Sequence, residues 1–208
     1  MEKLQNFIDK LSDYSAINGL KLQPSKCFTL YLGRKNCKYP YLINGSQLLE
    51  RENVRDLGIQ ISSDLKFTFH AKTIAQKAQN RMYLLFKSIL SYDIPFLIRL
   101  YKIYVISILD CGSSVYNSNA RQLSDILEKV QRRFTCLIFY RCLSSQYPQM
   151  PDYSERLKIL NLESLESRRR KADLLLFHQI LNGNVSFNAN LQISSKSIYP
   201  EPILEELW

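Results

Sequence analysis

The segment 128–135 carries cations at a spacing suited to anion binding. It reads Glu-Lys-Val-Gln-Arg-Arg-Phe-Thr. Lys129 and Arg132 are three residues apart, so both project from one face of a helix, and Arg133 lies at the edge of that face. Ammonium and guanidinium groups donate hydrogen bonds to phosphate and to carboxylate. The chemistry that this segment predicts is therefore the binding of an anion.

Two amphipathic helices must position the cations of this region. Apolar residues recur every three or four positions on the other side of the first helix, which is typical of packing on a core. They are Leu123, Ile126, Leu127, Val130, Phe134, Leu137 and Ile138. A second apolar stripe, from Ala71 to Ile89, predicts another packed helix with Tyr83 as its exposed stacking group. The cations of that helix are Lys72, Lys77, Arg81 and Lys87.

The positive charge of the chain is concentrated in its middle third. The net charge is +9, and residues 66–141 hold twelve basic and four acidic residues, against nine and seven in residues 1–65. Phosphate neutralisation by Lys and Arg drives binding that does not depend on sequence, so this excess favours nucleic acid as the partner. A solvated basic surface without a partner is the alternative. No apolar run is long enough to span a membrane, which predicts no membrane partner.

Other kinds of site are not indicated. The five cysteines form no Cys-x-x-Cys pair and the chain has two histidines, so no zinc site and no other metal site is predicted. There is no Gly-rich phosphate loop, no supported Ser-His-Asp set and no paired-carboxylate motif. We expect no cofactor on this chain. Reduced thiols and the lack of a signal peptide predict an intracellular protein, cytoplasmic or nuclear.

The order of patterns predicts an α+β fold. Apolar residues from Leu4 to Tyr14 mark a small N-terminal amphipathic helix. Asn44-Gly45 is a strong β-hairpin signal, and Val54 to Ile61 is typical of a further strand that bends at Gly58. Helical patterns dominate from Ala71, including a last block from about Tyr153 to Leu181. We predict four parts, which are an N-terminal β-bearing part at 1–65, a helical bundle at 66–143, a C-terminal helical region at 152–183 and a loose tail at 184–208.

Several short segments resemble a known enzyme family in their order and spacing. They are Asn18–Leu22, Asp56–Ile59, Leu65–Phe67, Leu109–Gly112, Glu128–Thr135 and Tyr153–Leu157. Together they are similar to the region after the catalytic motif in reverse transcriptases of non-LTR retrotransposons, in the jockey-like and chicken-repeat-like group. The chain departs from the pattern at Ser107, where the family often has Pro, and at Asp110-Cys111, where it often has Glu-Tyr.

The resemblance implies roles for particular residues. It makes 1–65 the end of a polymerase palm and 66–143 a thumb-like bundle. It places Lys26 near the phosphates of the incoming nucleotide, and it makes Leu57-Gly58-Ile59 the primer-grip strand. It implies that the cations of the two helices contact an RNA/DNA template–primer duplex. Those candidate contacts are Lys72, Lys77, Arg81, Lys87, Lys129, Arg132 and Arg133.

The catalytic aspartates of that family have no counterpart in this chain. Two-metal nucleotidyl transfer needs clustered carboxylates that hold Mg²⁺, and in the family these precede the region matched here. We therefore expect a truncated fragment that is not an enzyme by itself and retains template–primer binding at most. The alternative is a non-catalytic helical protein-interaction module, or an inert transposon-derived protein, that self-associates through an exposed palm-facing surface.

Overall fold

The computed structural model describes residues 2–33, 36–116 and 121–185. Its layout confirms the α+β prediction, because a helix and short strands precede a mainly helical part. Most of the predicted tail at 184–208 lies outside the described residues. The described residues up to Lys171 form one compact unit, and the described residues from Ala172 form a second. The four predicted parts stay a prediction.

The N-terminal helix α1 spans Glu2–Ile17 and is followed by a 3₁₀ turn at Pro24–Lys26. Six short strands come next. They are β1 at Phe28–Thr29, β2 at Leu42–Ile43, β3 at Ser46–Gln47, β4 at Leu49–Glu50, β5 at Asn53–Asp56 and β6 at Ile59–Ser62. β1 pairs with β4 in parallel, while β2–β3 and β5–β6 are antiparallel hairpins.

The two hairpins have the same kind of turn. Asn44 and Gly45 have φ of 51° and 74°, which confirms the predicted hairpin, since a two-residue turn with both φ positive matches the twist of paired strands. The single strand predicted from Val54 to Ile61 is wrong. Leu57 and Gly58 have φ of 44° and 93° and turn the chain back, so that Val54 pairs with Ile61.

Helices form the rest of the compact unit. They are α2 at Thr68–Ser88, α3 at Ile94–Tyr101, a π-helical stretch at Lys102–Ile106, α4 at Ser107–Asp110, α5 at Ser113–Tyr116, α6 at Arg121–Ile138, a second π-helical stretch at Phe139–Leu143, α7 at Tyr153–Ile159 and α8 at Leu165–Leu181. The last predicted helical block is thus two helices. They are separated near Asn161, whose φ of 48° is incompatible with a continuous helix.

The core lies between α2, α6 and the helical segments that connect them. Phe134 of α6 stacks on Tyr101 with ring centroids 3.7 Å apart, and its other neighbour is Phe86 of α2 at 5.9 Å. Arg141, just beyond α6, donates to the carbonyl oxygens of Phe86 and Ile89 at the end of α2, at 2.6 and 2.7 Å. Phe134 thus lies near Phe86, and Arg141, further along the chain, reaches Ile89 beyond Phe86. Since later residues of α2 contact later residues of α6 and its continuation, these two helices run roughly parallel.

Candidate nucleic-acid interface

Helix α2 is a basic helix without acidic residues. The chain has no Asp or Glu between Asp64 and Asp93, so the whole of α2 lies in a stretch free of carboxylates. All four of its predicted cations have exposed side chains. Because no acid on the same helix can pair with them at a spacing of three or four residues, their charge is offered to groups outside α2.

The four cations of α2 do not share one face. Lys87 is one turn after Tyr83 and Lys72 is three turns before it, so these three lie along one side of the helix. Lys77 and Arg81 lie about 120° or more away around the axis. Lys77 is near the buried His70, whose imidazole pKa is lowered by burial and by the charges of Lys77 and Arg55. The seven predicted contacts therefore do not form a single surface.

Helix α6 presents its cations beside the Tyr83 side of α2. Lys129 and Arg133 are one turn apart and both are exposed. The Arg133 Nε donates to the Tyr83 hydroxyl at 3.2 Å, and its guanidinium carbon lies 6.0 Å from the centroid of the Tyr83 ring. This contact joins the two helices at the surface. We call the surface formed by Lys72, Tyr83, Lys87, Lys129 and Arg133 the α2–α6 basic face.

Arg132 lies at the edge of this face and turns towards α7. Its guanidinium carbon is 5.1 Å from the centroid of the Tyr153 ring, and its side chain is exposed. Asp125, one turn before Lys129, is an exposed acid on the same side of α6. The face is therefore basic along α2 and mixed only towards the start of α6.

The predicted cations have no ion-pair partner among the described residues. Within the ranges that the structure describes, its ion pairs lie elsewhere. They join Lys38 to Glu50, Lys66 to Asp64, Arg168 to Asp110, Arg170 to Glu166 and Lys171 to Glu163. The basic run at 168–171 is thus largely occupied by these ion pairs and by the burial of Arg169. The α2–α6 basic face is not.

The rest of the 128–135 segment is structural. Glu128, Gln131 and Thr135 are buried on the side of α6 that meets α7 and the start of α8. Gln131 donates to the Glu163 carbonyl at 2.7 Å, and Arg156 donates to the Thr135 hydroxyl at 3.0 Å. The sequence pattern shows polar residues here but not their partners, which lie far along the chain. The segment therefore combines an outer basic side with an inner side that holds the following chain.

The remaining predicted site residues lie apart from the basic face in the chain. Lys26 ends the 3₁₀ turn with an exposed side chain. Leu57 and Gly58 form the tip of the β5–β6 hairpin, where Leu57 is 95% exposed, while Ile59 begins β6 and is partly buried. The predicted primer-grip strand is thus a hairpin turn. The residue that indicates this turn in the sequence is Gly58, which supplies the positive φ that the turn needs.

The described residues contain no group of three or more His, Cys, Asp or Glu side chains arranged to hold a metal ion. None of the helices in the described ranges is both long and apolar enough to cross a membrane.

Comparison with known proteins gives one similar chain. The uncharacterized protein B0403.1 of Caenorhabditis elegans is 26% identical over 148 residues, which cover 71% of this chain and 73% of the relative. No family model matches this chain. No solved structure matches it.

Proposed function

We propose that this chain is a fragment of a reverse transcriptase of the non-LTR retrotransposon type that binds an RNA/DNA template–primer duplex through the α2–α6 basic face. The proposal assigns no nucleotidyl transfer to this chain alone. Its motifs support the family, and the basic face supports the ligand. We place the protein inside the cell, in the cytoplasm or nucleus, in keeping with its free cysteines.

The observation that carries this proposal is the set of exposed, unpaired cations on two parallel helices. A helix that lacks acids lies beside another that presents Lys129 and Arg133, and no carboxylate of the described residues forms an ion pair with either of them. Such rows of cations neutralise successive phosphates and release counterions, which is the main source of sequence-independent affinity. Lys77 and Arg81 lie on another side of α2 and are outside this surface.

Charge neutralisation on this face tests the proposal. Replacing Lys87, Lys129 and Arg133 together by Gln should weaken binding of a labelled RNA/DNA duplex by about tenfold or more, measured by fluorescence anisotropy at low salt. The matched control replaces Lys3, Lys10 and Lys158, three exposed cations elsewhere, by Gln. Each variant lowers the net charge by three from +9. Equal losses in both variants would contradict a localised binding face.

A second candidate function is protein association through α1. The apolar side of this helix, which the sequence pattern marks for packing, is open to solvent. The opposite side packs instead, and it carries polar residues together with the partly buried Ile8. There the Gln5 side-chain amide bonds both the N–H and the carbonyl of Leu42 in β2, at 3.0 and 2.9 Å. The open apolar residues are 44–84% exposed. They are Leu4, Phe7, Leu11, Tyr14 and Ile17.

The size of this stripe suits a partner that is a second copy of the chain. Five side chains of this exposure offer roughly 600 Å² of apolar surface, the upper end of the range for the largest apolar patch on an ordinary monomer. Two such surfaces together bury about 1,200 Å², the lower end of a specific interface. The predicted palm-facing surface is thus proposed to be this side of α1.

Sedimentation equilibrium tests this second candidate. The wild-type chain should gain mass with concentration, and the variant with Phe7 and Tyr14 both replaced by Ser should remain monomeric. A control with Tyr92, an exposed aromatic outside α1, replaced by Ser should associate like the wild type. A wild-type chain that is monomeric at every concentration would exclude this candidate.

A further inference from the structure

We propose that Tyr83 and Arg133 form a contact for an unpaired nucleotide, in which the Tyr83 ring stacks on the base and Arg133 binds the neighbouring phosphate. This inference rests on the proposed function, since it names the part of the nucleic acid that this contact takes. That part is the single-stranded extension of a template–primer, beside its duplex.

The geometry leaves both groups available to a ligand. The hydrogen bond from Arg133 to the Tyr83 hydroxyl uses Nε, at 3.2 Å. The four N–H groups on the two terminal guanidinium nitrogens remain free to donate to phosphate oxygens. The same bond fixes the Tyr83 side chain, which is still 45% exposed. A ring held in place at the surface loses little conformational freedom when a base stacks on it.

The surroundings of this pair favour nucleic acid. Lys129 precedes Arg133 and Lys87 follows Tyr83, each by one turn or about 6 Å along its helix. Because α2 and α6 run roughly parallel, Lys129 lies before the Tyr83 ring along the helices and Lys87 lies after it. A strand that crosses the ring along the helices meets a phosphate-binding group before and after the stacked base. No carboxylate of α2 opposes it.

The exposed ring favours an unpaired base over a base pair. In a duplex the faces of the bases are covered by neighbouring bases, so an aromatic side chain has no face to contact without unstacking a step. An unpaired nucleotide offers its face freely, and proteins that bind single strands combine aromatic stacking with a basic groove. Phosphate binding alone needs the cations but gives no role to the ring.

The test compares two labelled probes, a blunt RNA/DNA duplex and the same duplex with a single-stranded template extension. The wild-type chain should bind the extended probe about tenfold more tightly in fluorescence anisotropy, the usual gain from one stacked base. Tyr83→Ala should remove this preference, so that the extended and the blunt probe bind with equal affinity. Tyr83→Phe should keep it, because the ring remains.

Tyr104→Ala is the matched control, since Tyr104 is also 45% exposed but lies in the π-helical stretch 102–106. It should keep the preference for the extended probe. Thermal unfolding followed by circular dichroism confirms that each variant is folded. The inference would be overturned if Tyr83→Ala kept the preference for the extended probe, or if the wild type showed no such preference. Salt-sensitive duplex binding would in that case still support the proposed function. No binding of either probe by the wild type would overturn both.

Discussion

Glu128 is a buried carboxylate that joins α6 to the chain beyond it. Its Oε1 accepts hydrogen bonds from the Tyr153 hydroxyl and from the Leu165 amide, the latter at 3.3 Å. Its Oε2 has no partner among the described residues. Burial and the bond to Glu128 raise the pKa of Tyr153 well above its ordinary value, so this hydroxyl stays protonated and donates. One oxygen therefore holds the starts of both α7 and α8.

We expect Glu128→Ala to lower the free energy of unfolding by about 2–4 kcal/mol, because one buried donor and one partly buried donor lose their acceptor. Glu128→Gln should cost much less, since it keeps an acceptor oxygen and removes a buried charge. Urea unfolding measures both. Asp125→Ala, an exposed acid on the same helix, should change stability little. Similar losses for Ala and Gln would show that the charge matters more than the hydrogen bonds.

For single residues, the sequence predicts which cations are exposed better than it predicts which polar residues are buried. Lys129, Arg132 and Arg133 are exposed, as their helical positions indicate. The burial of Glu128 was not predicted, because its partner Tyr153 is 25 residues away in the chain. Helical periodicity assigns polar residues to the exposed side of a helix. A buried polar residue is recognised only when the distant group that forms a hydrogen bond with it is known.

The β5–β6 hairpin is attached to α2 through His70. The Gln60 amide donates to His70 Nδ1 at 3.3 Å, and the Tyr116 ring lies edge-on to the imidazole at 4.8 Å. On the other side of the hairpin, Ile59 packs so closely on the α4–α5 turn that a Cβ at Gly112 would lie 2.7 Å from Ile59 Cδ1. The hairpin that carries the predicted primer grip is thus positioned by helices.

This attachment makes stability depend on pH. Neutral His70 accepts the Gln60 N–H, whereas the imidazolium cannot, and burial together with Lys77 and Arg55 lowers the His70 pKa below its ordinary 6.5. The unfolded chain therefore binds a proton more readily than the folded one. The stability that neutral His70 contributes should be fully present above pH 6.5, and it should decrease as the pH falls from there through the folded-state pKa of His70.

Urea unfolding at a series of pH values measures this effect. His70→Phe should flatten the change between neutral pH and pH about 5, above the range in which carboxylates titrate. His178→Gln, which alters an exposed histidine of α8, should leave it intact. A pH dependence that persists unchanged in His70→Phe would contradict the role of His70 in holding the hairpin.

The presence of most helices could be predicted from the sequence, but the contacts between helices and strands could not. The apolar stripes of α2 and α6 predict the helices and their buried faces, because long amphipathic patterns are unambiguous. The run 54–61 gives no sign of its reversal beyond Gly58, since Leu57 is an unusual residue for positive φ. For α1 the pattern predicts the helix correctly and its packed side wrongly. Which side packs depends on the hairpin at Leu42 and Asn44, which bonds Gln5 and Ser12.

The distribution of charge over the whole molecule decides its proposed ligand. The excess of cations lies in 66–141, and in the folded chain part of it serves structure, as Arg141 does at the end of α2. The cations that remain exposed and unpaired on the α2–α6 basic face are fewer than the sequence count suggests. The binding energy available from them is therefore moderate and should be strongly sensitive to salt.

The most direct measurement is the affinity for an RNA/DNA template–primer duplex as a function of salt. For the wild-type chain, three to five phosphate contacts predict a slope of about −2.7 to −4.5 in log K against log salt concentration. Each of Lys87, Lys129 and Arg133 replaced singly by Gln should reduce the slope by about 1. Absence of binding at low salt, or an affinity that does not change with salt, would contradict nucleic-acid binding by this face.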